Sequence, residues 1–293
     1  MRPGTGVATP SIRSMSGASS SNEVAGSRAV ASQADRAALL EAHDVHKHYG
    51  AVQALRGASL SVAAGEIMGL VGDNGAGKST LIKIVSGAIQ PSSGTIHYEG
   101  APVSLSGPAD ALSLGIETVY QDLSLVESMS ALQNIFLGKE TLRSGAVSRL
   151  LRLVDRPAMR GQALATLTDL GARLPSLDEK VLNLSGGQRQ AVAIARSLLW
   201  GRKLVIFDEP TAALGVNESK HALETIASLR ERGITVLVIS HNLEQLFSIA
   251  DRVTVLRIGN VVAVRETASS SPREVVELIT GARPGTSTSA DLE

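Results

Sequence analysis

The sequence predicts an α/β fold, and three observations point to it. Short runs of almost uninterrupted apolar residues end in glycine or an acid, each run is followed by a stretch of helical periodicity, and one junction is a glycine-rich loop, Gly72 to Ser79. Strands that are apolar almost throughout are expected of a parallel sheet covered by helices on both faces. With 293 residues, 43% of them hydrophobic and 19% charged, the chain can bury the core of one large domain or two small ones.

The elements follow in order. Residues 1 to about 36 are rich in Ser, Ala and Gly without a sustained apolar period, and are expected to be a disordered tail. The tail carries Arg and few acids, as a targeting peptide does, but it lacks the apolar centre of a secretory signal; a solvated extension, with Met15 as a candidate start, is expected instead. Parallel strands are expected at Glu66 to Val71, Ile116 to Gln121, Leu204 to Phe207 and Thr235 to Ser240, and antiparallel additions around Leu55 to Val62, Thr95 to Tyr98 and Val253 to Val264. A helix is expected over Ser79 to Val85 and mostly helical structure over 130–200, where Asp155 and Pro157 read as a helix start and Gly171 as its stop. Ser271, Pro272 and Glu274 read as a capping box for a last helix ending at Gly281. No internal repeat is found, which gives a single α/β unit over 37–283 and a flexible tail over 284–293.

Composition removes several function classes. Lys plus Arg equals Asp plus Glu at 28 each, so the basic surplus of a protein that grips nucleic-acid phosphates is missing, and no nucleic-acid partner is expected. Aromatic residues make up only 2% of the chain, too few for base-stacking platforms. The absence of cysteine excludes disulfides, thiolate catalysis and Cys-based zinc sites. No apolar run approaches the roughly 18 residues that cross a bilayer as a helix, so any membrane role has to come through another chain.

Gly72-Asp73-Asn74-Gly75-Ala76-Gly77-Lys78-Ser79 matches the eight-residue phosphate-loop pattern without a mismatch, between a strand ending at Val71 and a helix. Glycines there let backbone N–H groups turn inward around phosphate oxygens, and the helix N-terminus adds its positive dipole end. Lys78 is expected to reach the β- and γ-phosphates, and the Ser79 hydroxyl to ligate Mg²⁺. Leu204 to Phe207 then runs into Asp208 and Glu209, two carboxylates at a strand end, where an open α/β sheet places its ligands. Asp208 is expected to hold Mg²⁺, directly or through water. Glu209 is expected to orient and deprotonate the attacking water. Gln121 and His241 each follow a strand, where a side chain can lean over the same phosphate.

Leu184-Ser185-Gly186-Gly187-Gln188, ahead of a helix through Ala191, Ala195 and Leu198, resembles the motif that defines ABC ATPases. The resemblance runs from about residue 40 onward. It implies a P-loop NTPase of the ABC ATPase type: a mixed-sheet nucleotide-binding core, an antiparallel β subdomain and a helical subdomain at about 122–200. It also implies two copies packed head to tail, with Ser185, Gly186, Gly187 and Gln188 of one contacting the ATP held by Gly72, Asn74, Gly75, Ala76, Gly77, Lys78, Ser79 and Thr80 of the other. Tyr49 stands where the family stacks an aromatic on adenine, Gln121 where it links Mg²⁺ to the transmembrane partner, and His241 where it contacts the γ-phosphate. Implied partners are transmembrane permease subunits at the cytoplasmic face of a bacterial inner membrane and, through them, a solute-binding protein.

One departure is plain. After Pro210 the family usually carries Ala-Leu-Asp, and here Ala213-Leu214 is followed by Gly215, which bears on coupling between the two sites. The stretches at 72–75, 115–122 and 211–215 are similar to ATPases of bacterial monosaccharide importers of the ribose, xylose and fructose kind, in the shorter branch with one unit per chain; no regulatory domain is expected after Gly281. Three alternatives stay open: a motor for another solute, a soluble ATPase of the same family, and a nucleotide sensor without useful turnover.

Overall fold

The computed structural model describes residues 37–282 except 146, 147, 149, 201, 202 and 213. The two expected tails lie outside the described residues. Two sheets form the framework. The first is antiparallel, in the order β2-β1-β4-β5, with β1 Ala38–Tyr49, β2 Val52–Ala63, β4 Ser93–Tyr98 and β5 Ala101–Val103. The second has six strands in the order β10-β9-β3-β8-β7-β6, with β3 Ile67–Val71, β6 Ile116–Val119, β7 Leu204–Asp208, β8 Thr235–Ile239, β9 Arg252–Arg257 and β10 Asn260–Glu266. All its neighbours are parallel except the β9–β10 hairpin. The helices are α1 Lys78–Val85, α2 Pro108–Ser113, α3 Ala131–Phe136, α4 Arg156–Asp169, α5 Gly186–Trp200, α6 Val216–Glu231, α7 Leu243–Phe247 and α8 Pro272–Thr280.

Strand alternation divides the core in two. Ile67, Val71, Val205, Phe207, Val236 and Val238 face a layer built from α3, α4, α5 and α6. Met68, Leu70, Leu204, Ile206, Leu237 and Ile239 face the antiparallel sheet together with α1 and α2. The uniformly apolar strands are therefore covered on both sides as expected, but one cover is largely a β-sheet rather than a layer of helices.

Register then places the site. Leu70 and Asp208 both pair with Ile239, and Val119 pairs with Phe207. Four parallel strands thus end side by side, and residues 72, 120, 209 and 240 all leave the sheet along one edge. That edge is where a parallel sheet presents its ligand loops.

Several expectations are revised. Strand β1 was not foreseen, and Val253 to Val264 is a hairpin whose first half, β9, pairs parallel with β3. Within 130–200 the helices α3, α4 and α5 are joined by long connections that include the short 3-10 turn Val181–Asn183. Asp155 caps α4 by accepting from the Ala158 N–H, as expected, and Gly171 follows it in the left-handed region at φ 65. Ser271 caps α8 by accepting from the Glu274 N–H, while the Glu274 carboxylate meets Arg265 of β10. Gly281 ends α8 at φ 79.

Candidate active site

The loop at 72–77 is shaped by positive backbone angles that favour glycine: φ is 156 at Gly72, 78 at Gly75 and 109 at Gly77. A Cβ on Gly72 would lie 2.2 Å from the Leu256 carbonyl oxygen, and one on Gly77 would lie 2.7 Å from that of Ala54. Both positions are closed to side chains by sterics as well as by conformation. The loop is pinned from outside by the Gly259 N–H, which donates to the Ala76 carbonyl at 2.9 Å. Lys78 lies across it, donating from Nζ to the carbonyls of Gly72 (2.8 Å) and Asp73 (3.0 Å). Asn74, Gly75 and Ser79 are exposed, Ala76 is buried, and Thr80 is half-buried in the first turn of α1.

Asp208 and Glu209 complete the edge. Burial pushes the Asp208 carboxyl above the usual carboxylate range and the Glu209 charge adds to this, while Lys78 and Lys83 oppose it. Glu209 adopts φ 52, a backbone state that costs a non-glycine residue about 1–3 kcal/mol and is concentrated at functional sites. Its N–H donates to the Ile239 carbonyl at 3.0 Å, which turns the side chain toward the loop after β8. There His241 Nδ1 stands 2.8 Å from Glu209 Oε2.

Gln121 follows β6 by two residues and is exposed. It lines a cleft of about 390 Å³ with Glu209, Pro210 and Gly186, and a second cleft of about 580 Å³ with Asp208. The signature segment forms the far wall of the first cleft. Ser185 Oγ accepts from the Gln188 N–H (3.3 Å), and Gln188 Oε1 accepts from the Ser185 N–H (3.0 Å), a reciprocal cap on α5. Ser185 and Gly186 remain exposed, and Gly187 and Gln188 are half-buried. Among the described residues no hydrogen bond joins Ser185 to the loop at 72–79.

The structure therefore brings together Lys78, Asp208, Glu209 and His241, with Gln121 beside them. Tyr49 stands apart at the tip of the β1–β2 hairpin with 48% of its surface exposed, and Lys47 Nζ lies 5.5 Å above its ring. Gly215 caps α6 without a side chain; its N–H donates to Glu218 Oε2 at 2.9 Å. Ala213 of the same segment lies outside the described residues. Among the described residues no cluster of three His, Asp or Glu side chains can hold a metal. The donor set here suits Mg²⁺ differently, since that ion is usually bound through one or two carboxylates plus substrate phosphates.

Sequence reasoning missed Lys83, Asn134, Arg189 and Arg196. Asn134 is fully buried and holds Val126 by both its N–H (2.7 Å) and its carbonyl (3.0 Å). Arg196 falls between the apolar stretches Ala191 to Ala195 and Leu198 to Trp200, a signal that was there to be read.

A model of the ABC transporter family matches residues 55–212. The chain belongs to that family of ATP-binding proteins and is an ATPase. It is 44% identical over 246 residues to the fructose import ATP-binding protein FrcA of Rhizobium meliloti, covering 84% of this chain and 95% of the relative. The xylose/arabinose import ATP-binding protein XylG of Sulfolobus acidocaldarius is 43% identical over 83% of this chain and 94% of its own length. The ribose import ATP-binding protein RbsA of Yersinia pestis is 41% identical over 83% of this chain, which spans only 46% of that longer relative. Among solved structures, a nucleotide-free ATP-binding cassette from an ABC transporter superposes with TM-score 0.70 at 27% identity, over 83% of this chain and 98% of that one. A dimeric cassette in a post-hydrolysis state with ADP and Pi gives 0.66 at 26% identity, over 78% and 98%.

Proposed function

We propose that this ATPase energises uptake of a monosaccharide through a separate membrane permease, acting as a homodimer at the cytoplasmic face of the membrane. The convergence of Lys78, Asp208, Glu209 and His241 on one sheet edge carries the catalytic part of this reading. The sugar part is supported by the relatives, which are fructose, xylose/arabinose and ribose import ATP-binding proteins. Among the described residues no helix is long and apolar enough to cross a membrane. In this reading the permease is a separate chain, and a solute-binding protein would deliver the sugar to it.

In this reading Lys78 turns its donors from the Gly72 and Asp73 carbonyls to the β- and γ-phosphates of ATP. The N–H groups of Gly75, Ala76, Gly77, Ser79 and Thr80 enclose those oxygens, and Tyr49 stacks on adenine. Mg²⁺ would be held by Ser79, Asp208 and Gln121, where it neutralises charge on the phosphates. Glu209 accepts the proton of the attacking water, and His241, already against the Glu209 carboxylate, orients it and contacts the γ-phosphate. Ser185, Gly186, Gly187 and Gln188 of a second copy close over the same nucleotide. Closure of the pair and its release after hydrolysis move the permease.

The test is uptake of labelled monosaccharides in cells carrying the wild-type chain, no chain, or the Glu209→Gln variant. Loss of one or a few sugars in both the deletion and the variant is the expected result. Unchanged uptake of every sugar, with ATP hydrolysis by the purified chain intact, would overturn the sugar assignment and leave the ATPase.

A further inference from the structure

We propose that Arg196 is a positioning residue for the reaction: from the helix that carries the signature segment, it holds the loop after Gln121 in the conformation that sets Gln121 beside the catalytic carboxylates. The proposal rests on the role given to Gln121 above.

The loop has an unusual backbone. Leu123 and Ser124 adopt φ 58 and 45 in succession, and neither is glycine. Two adjacent left-handed residues with side chains persist only where surrounding structure over-determines them. Locally the turn is tied by the Leu123 N–H to the Tyr120 carbonyl (2.8 Å) and by the Ser124 N–H and Oγ to Asp122 Oδ1 (3.1 Å each). The outward-turned carbonyls of the two strained residues are taken by Arg196, whose guanidinium donates to Ser124 O at 2.8 Å and Leu123 O at 3.2 Å. A planar fork can satisfy two carbonyls at once, whereas an ammonium on a flexible stem acts as a point charge.

The charge is chosen as well as the shape. Arg196 is half-buried and lies in the field of Glu117 and Asp122, with Glu117 in turn near Lys139. Seven residues earlier, and so on the same face of α5, Arg189 binds the carbonyls of Val181, Leu182 and Leu184 and approaches Glu127 Oε1 at 3.4 Å. One face of α5 thus grips the chain just after Gln121 and the chain just before Ser185. A side chain that merely filled the core would not need two donors aimed at carbonyls of a strained turn.

The experiment compares steady-state ATP hydrolysis by the purified full-length wild type, Arg196→Gln, Arg196→Lys, Arg196→Gln with Ser124→Gly, and Gln121→Ala. Arg196→Gln is expected to lower kcat about tenfold or more, as small misplacements of catalytic groups do, with KM for Mg-ATP within about twofold because the phosphate loop is untouched. Arg196→Lys is expected to recover only part of the loss. The added Ser124→Gly is expected to restore most of it, since glycine takes a positive φ without outside support. Should Arg196→Gln fail to fold, Arg196→Lys carries the same split at smaller amplitude. Wild-type kcat in the folded Arg196 variants, a loss confined to KM, or no recovery with Ser124→Gly would each overturn the proposal while Gln121→Ala remains impaired. Full turnover by Gln121→Ala would instead remove the role of Gln121 and the proposal with it.

Discussion

The loop at 72–79 and the segment at 184–188 both set glycines at a helix N-terminus, yet they leave that terminus in different states. Helix α1 has no side-chain cap, because Gly77 holds the capping position in the left-handed region. Among the described residues its first N–H groups meet no side-chain cap, and Lys78 donates to loop carbonyls beside them. Helix α5 is capped by its own Ser185 and Gln188. One terminus keeps its donors clear of any side-chain acceptor, the arrangement that favours an anion. The other has already satisfied part of its need and offers an exposed edge that gains little unless a nucleotide is presented to it. The difference matches a site in which the first loop captures the nucleotide and the second closes on a nucleotide already held.

Four variants break or sharpen this contrast. Glu209→Gln should reduce turnover by about 10²–10⁴, the usual contribution of a positioned base, while leaving nucleotide affinity near wild type; a phosphate-release assay beside an ATP titration measures both. Lys78→Ala should weaken ATP binding roughly 30- to 100-fold, the value of a hydrogen bond to a charged group, and calorimetry showing unchanged affinity would count against the first loop as the capture site. Tyr49→Ala should weaken binding about tenfold through lost stacking on the base, with ATP and an abasic triphosphate converging in affinity. Ser185→Ala should leave single-chain ATP affinity unchanged and cost about 1 kcal/mol of folding stability through the lost cap, which a thermal melt reads directly. Equal loss of ATP affinity in Ser185→Ala and Lys78→Ala would erase the distinction between the loops.

The same contrast explains what could be read from the sequence. The loop at 72–79 and the acids at 208 and 209 were legible because their positions demand particular residues: a Cβ at Gly72 or Gly77 would meet a backbone carbonyl, and a magnesium-nucleotide site needs carboxylates at the strand end. Strand β1 was not, since its ladders shift register at four places between Ala38 and His48 and Asp44 bulges at φ 48, so its apolar residues fall out of phase. The β9–β10 turn carried half of a hairpin signal: Gly259 stands at φ 79, but Ile258 holds the other central position at φ 47, where Asn would have completed the pattern. Between 130 and 200 the connections are held by side chains gripping backbone, as Asn134 and Arg189 do, and such bonds leave no periodicity. The capping of Ser185 by Gln188 follows the Ser-x-x-Gln pattern and could have been read. The Gly215 departure is met by Glu218, which supplies from the first turn of α6 the carboxylate that binds the Gly215 N–H.

The central claim is that a second copy completes the site. It is tested most directly by light scattering of Glu209→Gln during size exclusion, with and without saturating Mg-ATP. The account predicts one chain mass without nucleotide, two with it, and a return to one when Ser185→Glu is added to the same variant. A single chain mass under all conditions, with ATP binding confirmed, would contradict it.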